Sequence, residues 1–190
     1  MMAVNLVKGQ RINLGLSHVK VGLGWDSNNS DTGFDFDLDA SAFCLDSNGK
    51  CASEKHFVFY GNKFSPDGAV QGADDDRTGD ASEGDDETIK VNLDKVASDI
   101  QEILFVATIY EHEERKQNFG QVRNSYIRIL NDANDEVMAI YELDEDFSIE
   151  TAVEFGRLYR KNGEWKFEAL GKGYNHGLDF LVEKYGLSVG

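Results

Sequence analysis

Apolar residues recur along this chain in short runs that alternate with polar ones, and glycine, asparagine, aspartate or serine separates one run from the next. A period of two over four to eight residues is the mark of a half-buried strand. On that basis the sequence predicts strands near residues 4–7, 10–16, 19–25, 34–45, 56–60, 88–93, 103–110, 125–130, 137–143, 152–160 and 165–170. Asn48-Gly49 and Asn162-Gly163 offer the left-handed backbone of a two-residue hairpin turn, so each should join antiparallel neighbours. The helical period is clear only near the end, where Leu178, Leu181, Val182 and Tyr185 fall at i, i+3, i+4 and i+7 and Gly186 supplies a stop. Residues 93–100 admit a second short helix. Many strands and little helix predict an all-β fold, a β-sandwich of two mostly antiparallel sheets with a short C-terminal helix, as a single domain over residues 1–190.

One run departs from ordinary alternation. In Phe34-Asp35-Phe36-Asp37-Leu38-Asp39-Ala40 every polar position is an aspartate. A strand would put Asp35, Asp37 and Asp39 on one face, and Phe36, Leu38, Ala40, Ala42 and Cys44 on the core face. Neighbouring carboxylates in such a row stand roughly 7 Å apart, and their repulsion is on the order of 2 kcal/mol per pair at an effective dielectric near 20. A row of this kind calls for a counter-charge.

The net charge of −16 sharpens the point. Residues 26–39 hold five acids and no base, and residues 67–87 hold nine acids against Arg77. These two segments carry −13, which leaves −3 on the remaining 155 residues. A chain made acidic for solubility alone would spread its charge. The second segment lies in a long loop, 61–87, whose turn residues and scarcity of apolar side chains predict no core contribution. Read alone, residues 74–87 have the composition of a disordered segment. A cation held between this loop and the aspartate row would order both.

Calcium suits such a site best, because it accepts six to eight hard oxygen ligands in flexible geometry, whereas magnesium demands a tighter octahedron and keeps more water. The pattern is not an EF-hand: counting from Asp35, position six is Ala40 where glycine is required. A solvated acidic face without a ligand is the plain alternative, and it fits Asp74-Asp75-Asp76 as well as a site does. Repulsion disfavours it for the aspartate row. An aspartyl phosphotransferase would need β-α alternation, which is missing, and paired carboxylates for glycoside hydrolysis have no other support. No Gly-x-Ser-x-Gly is present, and Gly22-Leu23-Gly24 continues into Trp25-Asp26-Ser27, which breaks the dinucleotide fingerprint.

No basic patch is visible, which argues against nucleic acid or an anionic membrane as a partner, and no stretch approaches the ~20 apolar residues of a membrane span. The start of the chain lacks a signal-peptide pattern, so a soluble cytoplasmic protein is expected. Two cysteines, Cys44 and Cys51, are too few for a disulfide framework and are expected to be reduced and structural. His18, His56, His112 and His176 have no zinc-ligand spacing.

The segments Val21-Gly22-Leu23-Gly24-Trp25-Asp26, Asp35-Phe36-Asp37-Leu38-Asp39-Ala40-Ser41-Ala42-Phe43, Ser65-Pro66-Asp67-Gly68, Asp75-Asp76-Arg77-Thr78-Gly79, Gly84-Asp85-Asp86-Glu87, Phe119-Gly120-Gln121-Val122 and Asn162-Gly163-Glu164-Trp165-Lys166-Phe167 resemble, in order and through nearly the whole chain, those of the TerD family of tellurite-resistance and general stress proteins. The resemblance implies a cytoplasmic bacterial calcium-binding β-sandwich that is not an enzyme. Its implied partners are calcium ions and other Ter-type stress proteins, including a TerC-like membrane protein. Carried over by position, the family's acidic motifs fall on Asp26, Asp35, Asp37, Asp39, Asp75, Asp76, Asp85, Asp86 and Glu87. Asp74 and Asp76 stand where the family often shows glycine and asparagine, and residues 80–83 are one longer. Both departures concern the loop, and the added charge favours a cation. The two cysteines and three methionines form no soft-ligand cluster, which argues against direct tellurite chemistry. A calcium-dependent carbohydrate or small-ligand binder is the alternative, with Trp25 beside the acidic site, although a tryptophan there is expected in the core.

Overall fold

Val19, Val21 and Leu23 on one strand and Ile103, Phe105 and Ala107 on another are all buried in one shared apolar core. That core lies between two sheets packed face to face. The computed structural model describes residues 3–25, 38–72, 87–109, 118–119, 125–143 and 150–188. Twelve strands are formed by them: β1 (Val4–Asn5), β2 (Arg11–Asn13), β3 (His18–Gly24), β4 (Leu38–Leu45), β5 (Phe57–Val58), β6 (Val70–Gly72), β7 (Glu87–Asn92), β8 (Glu102–Ile109), β9 (Tyr126–Asn131), β10 (Glu136–Glu142), β11 (Ala152–Lys161) and β12 (Glu164–Tyr174). The helix α1 (Leu178–Lys184) follows. One sheet runs β1-β10-β9-β3-β7-β6 and the other β2-β12-β11-β8-β4-β5. Only β1 pairs parallel, on β10, so the expected mostly antiparallel sandwich with a C-terminal helix is what forms.

Asn162-Gly163 makes its hairpin, with φ of 54° and 78°, and joins β11 to β12. Asn48-Gly49 behaves differently. Gly49 is left-handed, but its amide closes on the Asp46 carbonyl, and the Asp46 carboxylate takes the amides of Asn48 and Lys50. The chain then reaches β5 through a 3₁₀ turn at Glu54–His56, so β4 and β5 are antiparallel neighbours without a two-residue hairpin. Residues 93–100 form a single 3₁₀ turn, Leu93–Lys95, rather than a helix. The carbonyls of Val96, Ala97 and Ile100 accept from Arg160, and the Ala97 amide donates to Asp67, so tertiary partners take the groups a helix would use.

The loop expected over residues 61–87 is in its first half an edge of the sandwich. Ala69 and Val70 are buried, and β6 pairs with β7. The Ser65 hydroxyl accepts from the Val70 amide, and the Asp67 carboxylate accepts from the Ala69 amide and the Ser65 hydroxyl. With the turn satisfied internally, two apolar side chains are enough to seat a strand. Residues 57–72 thus form a strap that carries the chain from the edge of one sheet to the edge of the other.

Strand β4 also differs from expectation. Leu38, Ala42 and Cys44 do face the sandwich core. The face that carries Asp39 continues, however, into Ser41, Phe43 and Leu45, all buried, and Phe43 and Leu45 join a second apolar cluster with Leu104, Val106, Leu181 and Tyr185. Beyond Asp39 the predicted carboxylate face is core.

Candidate functional site

The strand ends that carry the candidate residues meet at one pole of the sandwich. Leu23 pairs with Glu87, Gly24 with Tyr126, and Tyr126 with Glu142, which fixes the ends of β3, β7, β9 and β10. In the facing sheet Leu38 pairs with Ile109 and Thr108 with Ala152. The candidates Asp26, Asp35, Asp37, Asp75, Asp76, Asp85 and Asp86 lie outside the described residues. Asp39 and Glu87 lie inside them, and the backbone brings together the points from which both acidic segments depart: Trp25, Leu38, Gly72 and Glu87 belong to this pole.

Glu87 opens β7 on the inward side shared with Ile89 and Val91, and only 9% of its surface is exposed. Its Oε2 accepts the Ala40 amide at 2.7 Å. Ala40 belongs to β4 of the opposite sheet, so this carboxylate spans the gap between the two sheets. A carboxylate offers about four acceptor directions, more than one backbone amide can fill. Asp39, one residue before Ala40, pairs with Thr108 and by alternation sits on the opposite face of β4. An ion shared by Asp39 and Glu87 must therefore sit at the tip of β4 rather than over either face. Among the described residues no three His, Cys, Asp or Glu side chains converge as a metal cluster. The described part is the rim of the proposed site.

A small cavity of about 10 Å³ lies against this rim, lined by Ala40, Val58, Phe59, Tyr60, Gly72, Glu87, Thr88 and Ile89. It has room for about one water and no organic ligand. Sequence reasoning missed the approach of Tyr60 and Phe59 to Glu87, because it depends on how the strap crosses between the sheets. Asp67, counted above among the nine acids of the second segment, has structural partners instead. Burial opposes its ionisation, but the Ser65 hydroxyl and the Ala97 and Ala69 amides outweigh that and hold its pKa below the usual carboxylate value. The Ser65-Pro66-Asp67-Gly68 turn signal could have marked it as a turn residue.

Trp25 is 4% exposed and belongs to the sandwich core, so it offers no stacking platform for a sugar. Ligand-sized room exists at the far edge of the sheet, in a cleft of about 340 Å³ lined by residues 5–8 and 140–142. Cys44 and Cys51 are free thiols and buried. Burial pushes Cys51 up to about 12 and Cys44 higher still, so neither is a thiolate at neutral pH. No helix of the described residues is long and apolar enough to cross a membrane.

Comparison with known proteins places this geometry among relatives. The TerD domain profile matches residues 2–185. General stress protein 16U of Bacillus subtilis (strain 168) is 53% identical, with all of both chains covered. Tellurium resistance protein TerD of Serratia marcescens is 49% identical over 99% of this chain and all of its own. The crystal structure of a homologue of telluride resistance protein from Streptomyces coelicolor A3(2) superposes with a TM-score of 0.72 at 22% identity, covering 88% of this chain and 95% of that one. At that identity the likeness supports the sandwich fold alone.

Proposed function

The chain belongs to the TerD domain family of tellurium-resistance and general stress proteins, and from that premise we propose that it is a cytoplasmic calcium-binding stress-response protein that acts as an interaction module rather than an enzyme. The observation that carries the reading is the inter-sheet carboxylate of Glu87 at the pole where both acidic segments begin and end. In this reading Asp26, Asp35, Asp37 and Asp39 from one segment, with Asp75, Asp76, Asp85, Asp86 and Glu87 from the other, supply hard oxygen ligands to one or more calcium ions. Calcium offsets the −13 of the two segments and fixes them against the sheet ends, which turns a charged pole into a shaped surface for a protein partner. Other Ter-type stress proteins, including a TerC-like membrane protein, are the partners this family membership suggests.

Calorimetric titration of chelator-stripped protein with calcium tests the reading. Binding is expected in the unsubstituted chain and is expected to weaken at least tenfold, about 1.4 kcal/mol, in Asp37→Asn and in Asp86→Asn. No calcium binding by the unsubstituted protein would overturn it.

A further inference from the structure

We propose that the cleft at the β1 edge binds the C-terminal end of an extended polypeptide, which pairs with the edge of β10 and sets its carboxylate on Lys8. The cleft lies across the sheet from β7 and Glu87, so the inference goes beyond the proposed function and needs no calcium.

Backbone geometry leaves this edge open. Strand β1 pairs with β10 only at Val4↔Ala139 and Asn5↔Ile140, and the last bond runs from the Leu6 amide to the Ile140 carbonyl at 2.7 Å. The chain then leaves the sheet: the Val7 carbonyl accepts from the Gln10 amide, and the Gly9 amide donates to Ala169 on β12 of the other sheet. Strand β10 continues without it to Glu142. The Leu143 amide donates to Ser125, on the β9 side, and backbone groups alternate in direction along a strand. The Glu142 amide and carbonyl therefore point away from β9, into the space that β1 has left, and have no backbone partner among the described residues. The cleft of about 340 Å³ is that space.

Unpaired groups on a strand edge are the complement of another extended backbone. Leu6 and Val7 close one end of the lane beside β10, so a chain that enters it has to end there. Charge decides which terminus fits. Lys8 lines the cleft, forms no ion pair among the described residues, and rests its Cγ on bare Gly171, 3.2 Å from where a Cβ would stand. A terminal carboxylate is attracted to that ammonium and a terminal amine is repelled. Glu142 stands on the outer face, because Tyr141 and Leu143 on either side of it are buried, so a lysine or arginine near the chain end meets it as a cross-strand neighbour. Val7 adds an apolar contact. At 68% it is the most exposed large apolar side chain among the described residues, and its amide and carbonyl are both held by Gln10. A contact fixed in this way costs little ordering when it is covered.

The test uses the full chain and three acetylated peptides: Ala-Val-Lys-Val as the free acid, the same peptide amidated at its C-terminus, and the free acid with glutamate in place of lysine. Calorimetry gives affinity, and amide NMR gives the place of contact and the rate of hydrogen exchange. The first peptide is expected to bind about tenfold or more tightly than the other two, to shift residues 5–8 and 140–142, and to slow exchange of the Glu142 amide. Lys8 is exposed, so Lys8→Met is expected to leave the thermal midpoint unchanged while it removes the advantage of acid over amide. Equal affinity of acid and amide, an advantage that survives Lys8→Met, unslowed exchange at Glu142, or shifts elsewhere would overturn the proposal. Concentration-dependent shifts of the same residues without peptide would show that a second copy fills the edge, and would overturn it too.

Discussion

Glu87 ties the fold to the proposed site. Its carboxylate satisfies the Ala40 amide across the sheet gap, and removal of an acceptor from a buried donor costs about 1–3 kcal/mol. Glutamine keeps a carbonyl oxygen that can accept that bond but lacks the charge a calcium ion needs. Glu87→Ala is therefore expected to lower unfolding stability by about 1–3 kcal/mol in denaturant titrations without calcium. Glu87→Gln should lose little of that stability yet bind calcium more weakly. Equal stability of the two variants would mean that the Ala40 bond contributes nothing. At this scale the sequence was ambiguous, because an acid in an acidic run looks the same whether it ligates a cation, takes a turn amide as Asp67 does, or bridges two sheets as Glu87 does. The difference lies in partners 30 or more residues away, Ala97 for Asp67 and Ala40 for Glu87.

Elements were more legible, since alternation is a local signal. Every strand expected with residues in the described set is present, with shifts of a few residues at the ends, and α1 lies where its period put it. What failed locally failed for tertiary reasons. Strand β6 has only Val70 to bury, with Ala69 just before it, too few to register as a period, and a helix over residues 93–100 loses its backbone groups to Arg160 and Asp67. The seven residues of α1 are too few to be stable alone. Packing of Leu181 and Tyr185 on Phe43 and Leu45 holds the helix, together with a polar clamp on buried Glu154. Lys184 Nζ donates to Glu154 Oε1 at 3.1 Å and the Tyr185 hydroxyl donates to the same oxygen. Burial and the Glu154 carboxylate push the Tyr185 phenol far above the ordinary tyrosine range, so it stays a donor at any working pH. Tyr185→Phe keeps the ring on Phe43 and removes that donor; a loss of about 2 kcal/mol is expected, with early hydrogen exchange confined to α1 and the Cys51 amide that bonds the Tyr185 carbonyl. Uniform destabilisation across the fold would show that α1 does not open as a separate unit.

At the scale of the whole molecule, charge is concentrated rather than spread. The two acidic segments together supply −13 of the net −16, while a few of their residues, Asp67 and Glu87 among them, also hold the fold. That concentration was legible from the sequence, and so was the family; which carboxylates would share the proposed ion was not, because coordination would depend on how two segments far apart in sequence converge. The physical consequence is a pole whose self-repulsion opposes folding until something offsets it. Salt screens such repulsion, with a Debye length that falls from about 10 Å at 0.1 M to about 3 Å at 1 M. Calcium bound as proposed would offset it, and would stabilise the folded state by mass action in proportion to the logarithm of its concentration. The two remedies act on the same charges, so they should not add. In chelator, raising sodium chloride from 0.05 M to 0.5 M is expected to raise the thermal midpoint by several degrees, since about 1 kcal/mol shifts a chain of this size by about 2–4 °C. With saturating calcium the midpoint should be higher and its dependence on salt nearly flat. If the salt response is the same with and without calcium, the ion is not being held by the acidic segments, and the composite site at the pole of the sandwich is wrong.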